Sequence, residues 1–287
     1  MPQQVHVIVC THTERHLRLV LEGLVFQNAK PDTVSLVTDG RVDAVSKIVH
    51  EYAARIQAQL YYTTREHQGI MRLSQTRNNA VRTLNQYGIE SGRIVFIDGD
   101  MLLDSDSIQK HAALGKRGEL LIADRIYLSE KQTAELYSAD SDPLNATKSM
   151  DHAQELARLD KRNRKATKHS WMRKLGIAKK ARPQLVGAQI SVDYQDFLKV
   201  NGFDEEYEGY GSEDDDFAAR LYKSGIKPRV AVKELTSFHL WHPTQAPQKW
   251  RDSEGAKRFL NTKTTVRAKF GFDNPMPSNA TTAYRFN

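Results

Sequence analysis

From residue 5 onward the chain alternates between short, nearly continuous apolar runs and longer stretches where apolar residues recur every three or four positions. Residues 5–10 (VHVIVC) form the first run and predict a strand, with the polar turn Thr11-His12-Thr13 behind it. Leu17, Val20, Leu21, Leu24 and Val25 then repeat at helical spacing within 14–27. Pro31-Asp32 breaks the chain, and 34–38 predicts a second strand ending at Asp39-Gly40. Helical spacing returns over 42–58, strand character over 60–63, and helical spacing over 73–84. The run 93–97 (RIVFI) predicts a fourth, strongly apolar strand ending in Asp98-Gly99-Asp100. Strict strand–helix alternation predicts an α/β fold, an open and mostly parallel sheet flanked by helices with right-handed crossovers. Such sheets bind ligands beyond the carboxyl ends of their strands. Thr11, Asp39 and the Asp98–Asp100 turn all stand there.

The second half is less regular. Residues 120–126 predict a strand, 130–182 are polar and helix-prone and then basic, and 185–192 resume strand character. The acidic stretch GYGSEDDDFAARL (209–221) follows, and 230–242 predict a last strand running into His239-Leu240-Trp241-His242-Pro243. Nothing repeats. The pattern divides into 1–105, 106–245 with an insertion at about 130–182, and a tail 246–287 packing on the domain.

Composition adds three constraints. At 287 residues the chain can bury a sizeable core. No apolar run approaches the ~18 residues that span a bilayer, and VHVIVC is too short for a signal peptide, so cytoplasmic residence is the default. The single cysteine, Cys10, excludes an internal disulfide and a metal–thiolate cluster. The net charge of +7 is local: residues 161–182 hold ten Lys/Arg and no Asp/Glu. The remainder is at about −3. Basic residues with one aromatic, Trp171, suit contact with phosphates of a polyanion; a solvated loop or a mobile lid fits as well.

Four groups of residues carry candidate chemistry. Asp98 and Asp100, spaced i, i+2 after a buried strand, can share Mg²⁺ or Mn²⁺, with Gly99 letting a bulky ligand approach the backbone; a plain Asp-Gly turn is the alternative. Asp39 can accept hydrogen bonds from a base or ribose, or simply end a strand. Arg77, on the helix before the fourth strand, can pair with a diphosphate or lie solvated. His239 and His242 can ligate a transition metal provided that the chain turns between them, as Pro243 suggests. The four acids Glu213–Asp216 fit the first turn of a helix capped by Ser212, where the macrodipole favours them and holds them ionised.

These pieces in this order resemble glycosyltransferase family 2 of the GT-A fold. They are the strand into Thr11, the strand ending Asp39-Gly40, the helix bearing Arg77-Asn78, and Asp98-Gly99-Asp100. The C-terminal part, with GAQISV, NGFDEEYEGYGSEDDDFAARL and FHLWH, is similar to the acceptor half of galactosyltransferases and chondroitin-polymerase-like enzymes. The resemblance covers about residues 5–105 and 185–243. It implies a metal-dependent transferase moving a sugar from a nucleoside-diphosphate sugar, a UDP-sugar foremost, to an acceptor hydroxyl with inversion. Thr11, Asp39, Arg77, Asp98 and Gly99 would hold the donor. Asp98, Asp100 and His239, with His242 in reserve, would hold Mn²⁺ or Mg²⁺. Asp214 would be the general base and Glu213 would orient the acceptor, which can be a saccharide, a lipid-linked saccharide or a polymer. The turn THTER, the single acid Asp39 where a pair is common, and Gln189 in place of asparagine depart from the family pattern. The basic stretch keeps two other readings open: transfer to nucleic acid, and a non-catalytic sugar- or nucleic-acid-binding module. Docking of that stretch on an anionic membrane is compatible with the transferase reading.

Overall fold

A computed structural model describes residues 3–40, 42–138, 142–177, 189–243, 250–277 and 279–286. Residues 178–182 of the basic stretch, 185–188 of an expected strand and 246–249 of the tail lie outside them. The first half runs β1 (Val5–Thr11), α1 (Leu17–Val25), β2 (Thr33–Asp39), α2 (Asp43–Ala53), β3 (Gln59–Arg65), α3 (Leu73–Gln86) and β4 (Arg93–Asp98). There follow β5 (Met101–Leu103), α4 (Ser107–Leu114), β6 (Glu119–Ile122), β7 (Ile126–Tyr127), α5 (Glu130–Ser138), α6 (Pro143–Lys148) and α7 (Ala153–Lys174). The chain closes with β8 (Gln189–Asp193), α8 (Tyr194–Lys199), α9 (Glu213–Lys223), β9 (Lys227–Val230), β10 (Ser237–His239), α10 (Glu254–Asn261) and β11 (Thr281–Phe286).

Eight strands form one sheet in the order β11-β3-β2-β1-β4-β8-β6-β9. The β3-β2-β1-β4 block is parallel, as strand–helix alternation demands; β8 is antiparallel to both β4 and β6, and β11 is antiparallel to β3. Alternate residues of β1 feed two cores, because successive side chains leave a strand on opposite faces. Val5, Val7 and Val9 pack with α1 and α2, while Ile8 and Cys10 pack with α3, α8 and α9. The second core centres on Phe96, Phe197, Phe203 and Phe217, with Phe203 stacked on Phe217 at 4.2 Å between ring centroids. Burying each such ring contributes about 1.5–3 kcal/mol.

Three expected elements differ. The run 120–126 splits into β6 and β7, because Asp124 turns its buried carboxylate back onto the Arg125 N–H (2.8 Å). The run 230–242 splits likewise: the Leu235 N–H donates to the Ala231 carbonyl (2.8 Å), making a turn with the exposed Lys233-Glu234 at its tip. Each run thus contributes to two sheets, and β10 pairs antiparallel with β5 and parallel with β7 in a second, three-stranded sheet. The basic stretch through residue 174 is helix, not loop. Its alanines, lysines and arginines are good helix formers, and Leu159 and Ala166 anchor it. No helix among the described residues is long and apolar enough to cross a membrane.

Candidate active site and metal centre

The small sheet builds the first half of the site. His239 is in register with Met101 on β5 and Tyr127 on β7, and the Leu240 N–H donates to the Asp100 carbonyl (2.9 Å). That register sets residue 100 beside residues 239–242. One Asp100 carboxylate oxygen lies 3.0 Å from His242 Nε2 and 3.7 Å from His239 Nε2. One ligand atom from each of the three residues lies within 4.8 Å of the others, the only such group of three or more among the described residues.

The electrostatics of the trio fit a cation. The other Asp100 oxygen is buried with no hydrogen-bond partner. Burial, and then the charge of Asp98, push the Asp100 carboxyl up to about 6. Burial, and then the Arg125 charge, push His239 down to about 3, so its imidazole is neutral and free to ligate. Two imidazoles and a carboxylate suit Mn²⁺ better than Mg²⁺, which prefers oxygen ligands throughout. The backbone between the histidines is fixed as well: His16 Nε2 bonds the Trp241 carbonyl at 2.9 Å and the Trp241 N–H donates to Thr133 Oγ1 at 2.9 Å.

Asp98 and Asp100 diverge. Asp98 faces Arg77 at 3.5 Å and is not in the trio. Gly99 is required by the fold itself. Its N–H donates to the Cys10 carbonyl (2.7 Å), and a Cβ there would meet Thr11 Cβ and Oγ1 at 2.5 Å. Thr11 is buried at the end of β1, and its hydroxyl donates to the Thr13 carbonyl (2.6 Å).

The second half of the site is the start of α9. Helix α3 carries an unusual buried polar row from Ser74 to Asn79. Asn78 clamps the preceding loop: its amide donates to the Phe203 carbonyl and to Glu205 (2.9 Å each), and the Phe203 N–H returns a bond to its oxygen (2.9 Å). Gly202 sits there at φ +65°, where a Cβ would be 2.5 Å from Asn78 Oδ1. Arg77 is 1% exposed, lies over the Phe203 ring at 5.1 Å, and reaches Glu213 at 3.0 Å and Asp98 at 3.5 Å. Burial pulls its pKa down, but Glu213 and Asp98 push it further up, so the guanidinium stays charged. Arg77 thus lies beneath the site, committed to two carboxylates. One side chain joins the Asp98–Asp100 turn to the acidic helix end.

The four acids separate. Asp216 pairs with Arg220 at 2.7 Å inside the helix, and the Asp215 N–H donates to Asp214 (2.8 Å). Ser212 occupies the N-cap position in a left-handed conformation, φ +69°, and its hydroxyl makes no capping bond. The helix end does not keep Asp214 at an ordinary carboxylate pKa. Crowding by surrounding protein, then Glu213 and Asp215, raise it well above that range, although Arg77 opposes them. At Asp39, by contrast, the carboxylate accepts from Arg65 (3.0 Å) and from the Arg72 N–H (2.7 Å), 6% exposed at the end of β2.

Three further residues belong to the cleft. Arg125 acts electrostatically on Asp100 and His239, and its Nε is buried without a hydrogen-bond partner. Tyr127 is exposed, its ring 5.2 Å from His239 and 5.0 Å from the guanidinium groups of both Arg125 and Arg158. Tyr210, also exposed, is held above its ordinary pKa by burial and then by Glu213 and Asp214, and it feels Arg125 too. The break at Asp124 conceals Arg125 and Tyr127 in an apparently continuous strand, while Tyr210 stands openly in the glycine-flanked GYG ahead of the acids.

Comparison with known proteins bears on the fold and on the C-terminal part of the chain. Residues 169–242 match the family described as the N-terminal domain of galactosyltransferase. Human beta-1,4-galactosyltransferase 3 is 44% identical over 45 residues, 16% of this chain and 12% of that protein. The chain therefore spans about an eighth of the curated relatives it matches. Among solved structures, GalNAc-T7 with UDP, GalNAc and Mn²⁺ superimposes with a TM-score of 0.55 at 10% identity, covering 90% of this chain and 48% of that one. The catalytic domain of Drosophila β1,4-galactosyltransferase 7 with xylobiose gives 0.52 at 12% identity, over 99% and 94%. TarS of S. aureus, in complex with UDP-GlcNAc, gives 0.51 at 15%, over 84% and 60%. The fold is GT-A, as the sequence predicts, and the expected likeness to galactosyltransferases holds over the C-terminal match.

Proposed function

We propose that the chain is a metal-dependent glycosyltransferase that moves a sugar from a UDP-sugar to a saccharide hydroxyl with inversion. The observation that carries this reading is Arg77. Through it the Asp98–Asp100 turn, beside the Asp100–His239–His242 trio, and the Glu213–Asp214 helix end form one cleft. UDP, UDP-GlcNAc, Mn²⁺ and xylobiose in the neighbours' structures support the donor, metal and acceptor classes.

The placement of each side chain supports the following roles. Asp100, His239 and His242 would hold Mn²⁺, which when bound neutralises charge on the departing diphosphate. Arg125 contributes a second positive charge on that side, the task that sequence spacing suggested for Arg77. Asp39 keeps free lone pairs for the uracil or ribose. Asp98, 34% exposed on its side chain, faces the donor sugar. Tyr127 and Tyr210 offer aromatic surfaces to an acceptor. Asp214 takes the proton of the acceptor hydroxyl while Glu213, fixed by Arg77, orients that hydroxyl. A carboxylate with a raised pKa is the stronger base, and such a base accelerates transfer about 10²–10⁴-fold.

The test combines binding and turnover. Calorimetry should show UDP binding that requires Mn²⁺, and a screen of UDP-sugars with saccharide acceptors should find transfer that chelation abolishes. Asp214→Asn should keep UDP affinity and lose transfer by about 10²–10⁴-fold. Normal turnover in that variant would remove the base assignment, and absence of UDP affinity with Mn²⁺ would remove the donor assignment. Product with the donor's own anomeric configuration would overturn inversion.

A further inference from the structure

We propose that the outward face of α7 docks on an anionic phospholipid membrane. The helix has two unlike sides. Its inner side is anchored by Leu159 and Ala166, and its inward cations have partners: Arg162 lies 2.5 Å from Asp124, and the Arg173 guanidinium lies 4.3 Å from the centre of the Tyr222 ring. Its outer side exposes Lys161, Arg164, Lys165 and Lys168. These positions recur at i, i+3, i+4 and i+7 and, with Trp171 continuing the same face, make one stripe about 15 Å long. None of the four forms an ion pair among the described residues. The helix's exposed acid, Asp160, is already paired with Lys233 at 2.7 Å.

Like charges at i, i+4, as in Lys161–Lys165 and Arg164–Lys168, weaken an isolated helix. A fixed negative partner would offset that repulsion. Apolar groups at the same end identify which kind. Trp171 is 59% exposed within the stripe, and Leu175 and Ile177 are 54% and 59% exposed just past it. A shallow groove of about 470 Å³ lined by Asn163, Arg164, Thr167, Lys168 and Trp171 places an indole beside two cations. Lysines and arginines around a tryptophan with neighbouring aliphatic side chains are the surface that settles into a lipid headgroup layer. Nucleic acid is less well served, since leucine and isoleucine offer no ring for a base to stack on. The N-terminal end of α7 meets the cleft, where Glu155 accepts from the Tyr127 N–H (3.0 Å). Docking through residues 161–177 would hold that cleft some 20 Å along the helix from the headgroups.

Co-sedimentation of the whole chain with vesicles tests this independently of any sugar transfer. Phosphatidylcholine vesicles containing phosphatidylserine should bind it, and phosphatidylcholine alone should not. The triple variant Arg164→Gln/Lys165→Gln/Lys168→Gln should partition on the order of 100-fold more weakly. Exchanging the same sites for the other basic residue should preserve binding, and the blue shift of tryptophan emission on binding should disappear in Trp171→Phe. Equal binding to neutral vesicles, no binding, or an unaffected triple variant would overturn the proposal. So would retention by duplex DNA or RNA without binding to vesicles.

Discussion

Replacing Arg77 with methionine isolates the contact that joins the two halves of the cleft. Methionine keeps apolar bulk and removes the guanidinium. Glu213, with 11% of its side chain exposed, would lose its partner in a nearly dry site. Breaking one side of such a pair costs about 3–5 kcal/mol, because the remaining charge stays buried. The Asp98 contact is longer and more exposed and adds at most about 1 kcal/mol. The loss of the cation over Phe203 falls within the same range. With a urea slope of about 3 kcal/mol per molar, the unfolding midpoint should drop by more than about 1 M. Glu213→Gln alone should also destabilise, since it strands the arginine. The double variant should cost less than the sum of the two by at least about 2 kcal/mol. Mn²⁺ affinity should stay within about tenfold of the parent, because Arg77 touches none of the three candidate ligands, whereas transfer should fall with Glu213 displaced. A midpoint shift below about 0.3 M, or additivity within about 0.5 kcal/mol, would refute the bracing role.

Asp100→Asn removes the only carboxylate of the trio, and Mn²⁺ affinity measured by calorimetry should fall at least about 100-fold; an unchanged value places the metal elsewhere. The Asp100 carboxyl is raised to about 6, so Mn²⁺ binding should be steady above that pH and weaken below it as the ligand takes a proton. His239, already neutral, would not add to this loss, and a flat profile down to about pH 5 would contradict the assignment. Gly99→Ala forces a Cβ to 2.5 Å from Thr11 and should destabilise by about 1–3 kcal/mol in urea unfolding, with the turn and the donor side of the cleft disturbed together.

What the sequence made legible was local. Continuous apolar runs at 5–10, 34–38 and 93–97 correspond to β1, β2 and β4, whose strength lies in burial on both faces. The breaks inside 120–126 and 230–242 were not legible, because pairing with a second sheet decides them and periodicity carries no sign of that partner. Helix α7 was legible only as a polar, helix-prone composition, not as a period. Only Leu159 and Ala166 bury fully along its 22 residues, too few to make a period visible. The burial of Arg77 could not be read either, since a polar helix normally faces solvent. Here Asn78, Arg82 and Glu205 turn that polar row into a clamp on the loop before α9. Ser212 shows the limit of residue preference, for a left-handed backbone turns a good capping hydroxyl away from the helix.

The charge pattern of the cleft argues for an order of events. Asp98, Asp100, Glu213, Asp214 and Asp215 converge there, with Arg77 below and Arg125 opposite. The acids outnumber the cations. Burial raises the Asp100 and Asp214 carboxyls first, and the neighbouring acids add to it. A diphosphate approaching this surface meets repulsion that Arg125 alone cannot offset. A divalent cation held by Asp100, His239 and His242 would reverse the local field on the proposed donor side and leave the Asp214 side negative. UDP-sugar should therefore bind after the metal, and UDP affinity in chelator should be negligible. On the proposed acceptor side the remaining negative charge would favour Asp214 as a base next to a neutral hydroxyl, which would suffer no such repulsion. On the proposed roles the two sides of the cleft would need opposite fields, and Arg77, in contact with both Asp98 and Glu213, holds them adjacent while it neutralises part of the excess between them.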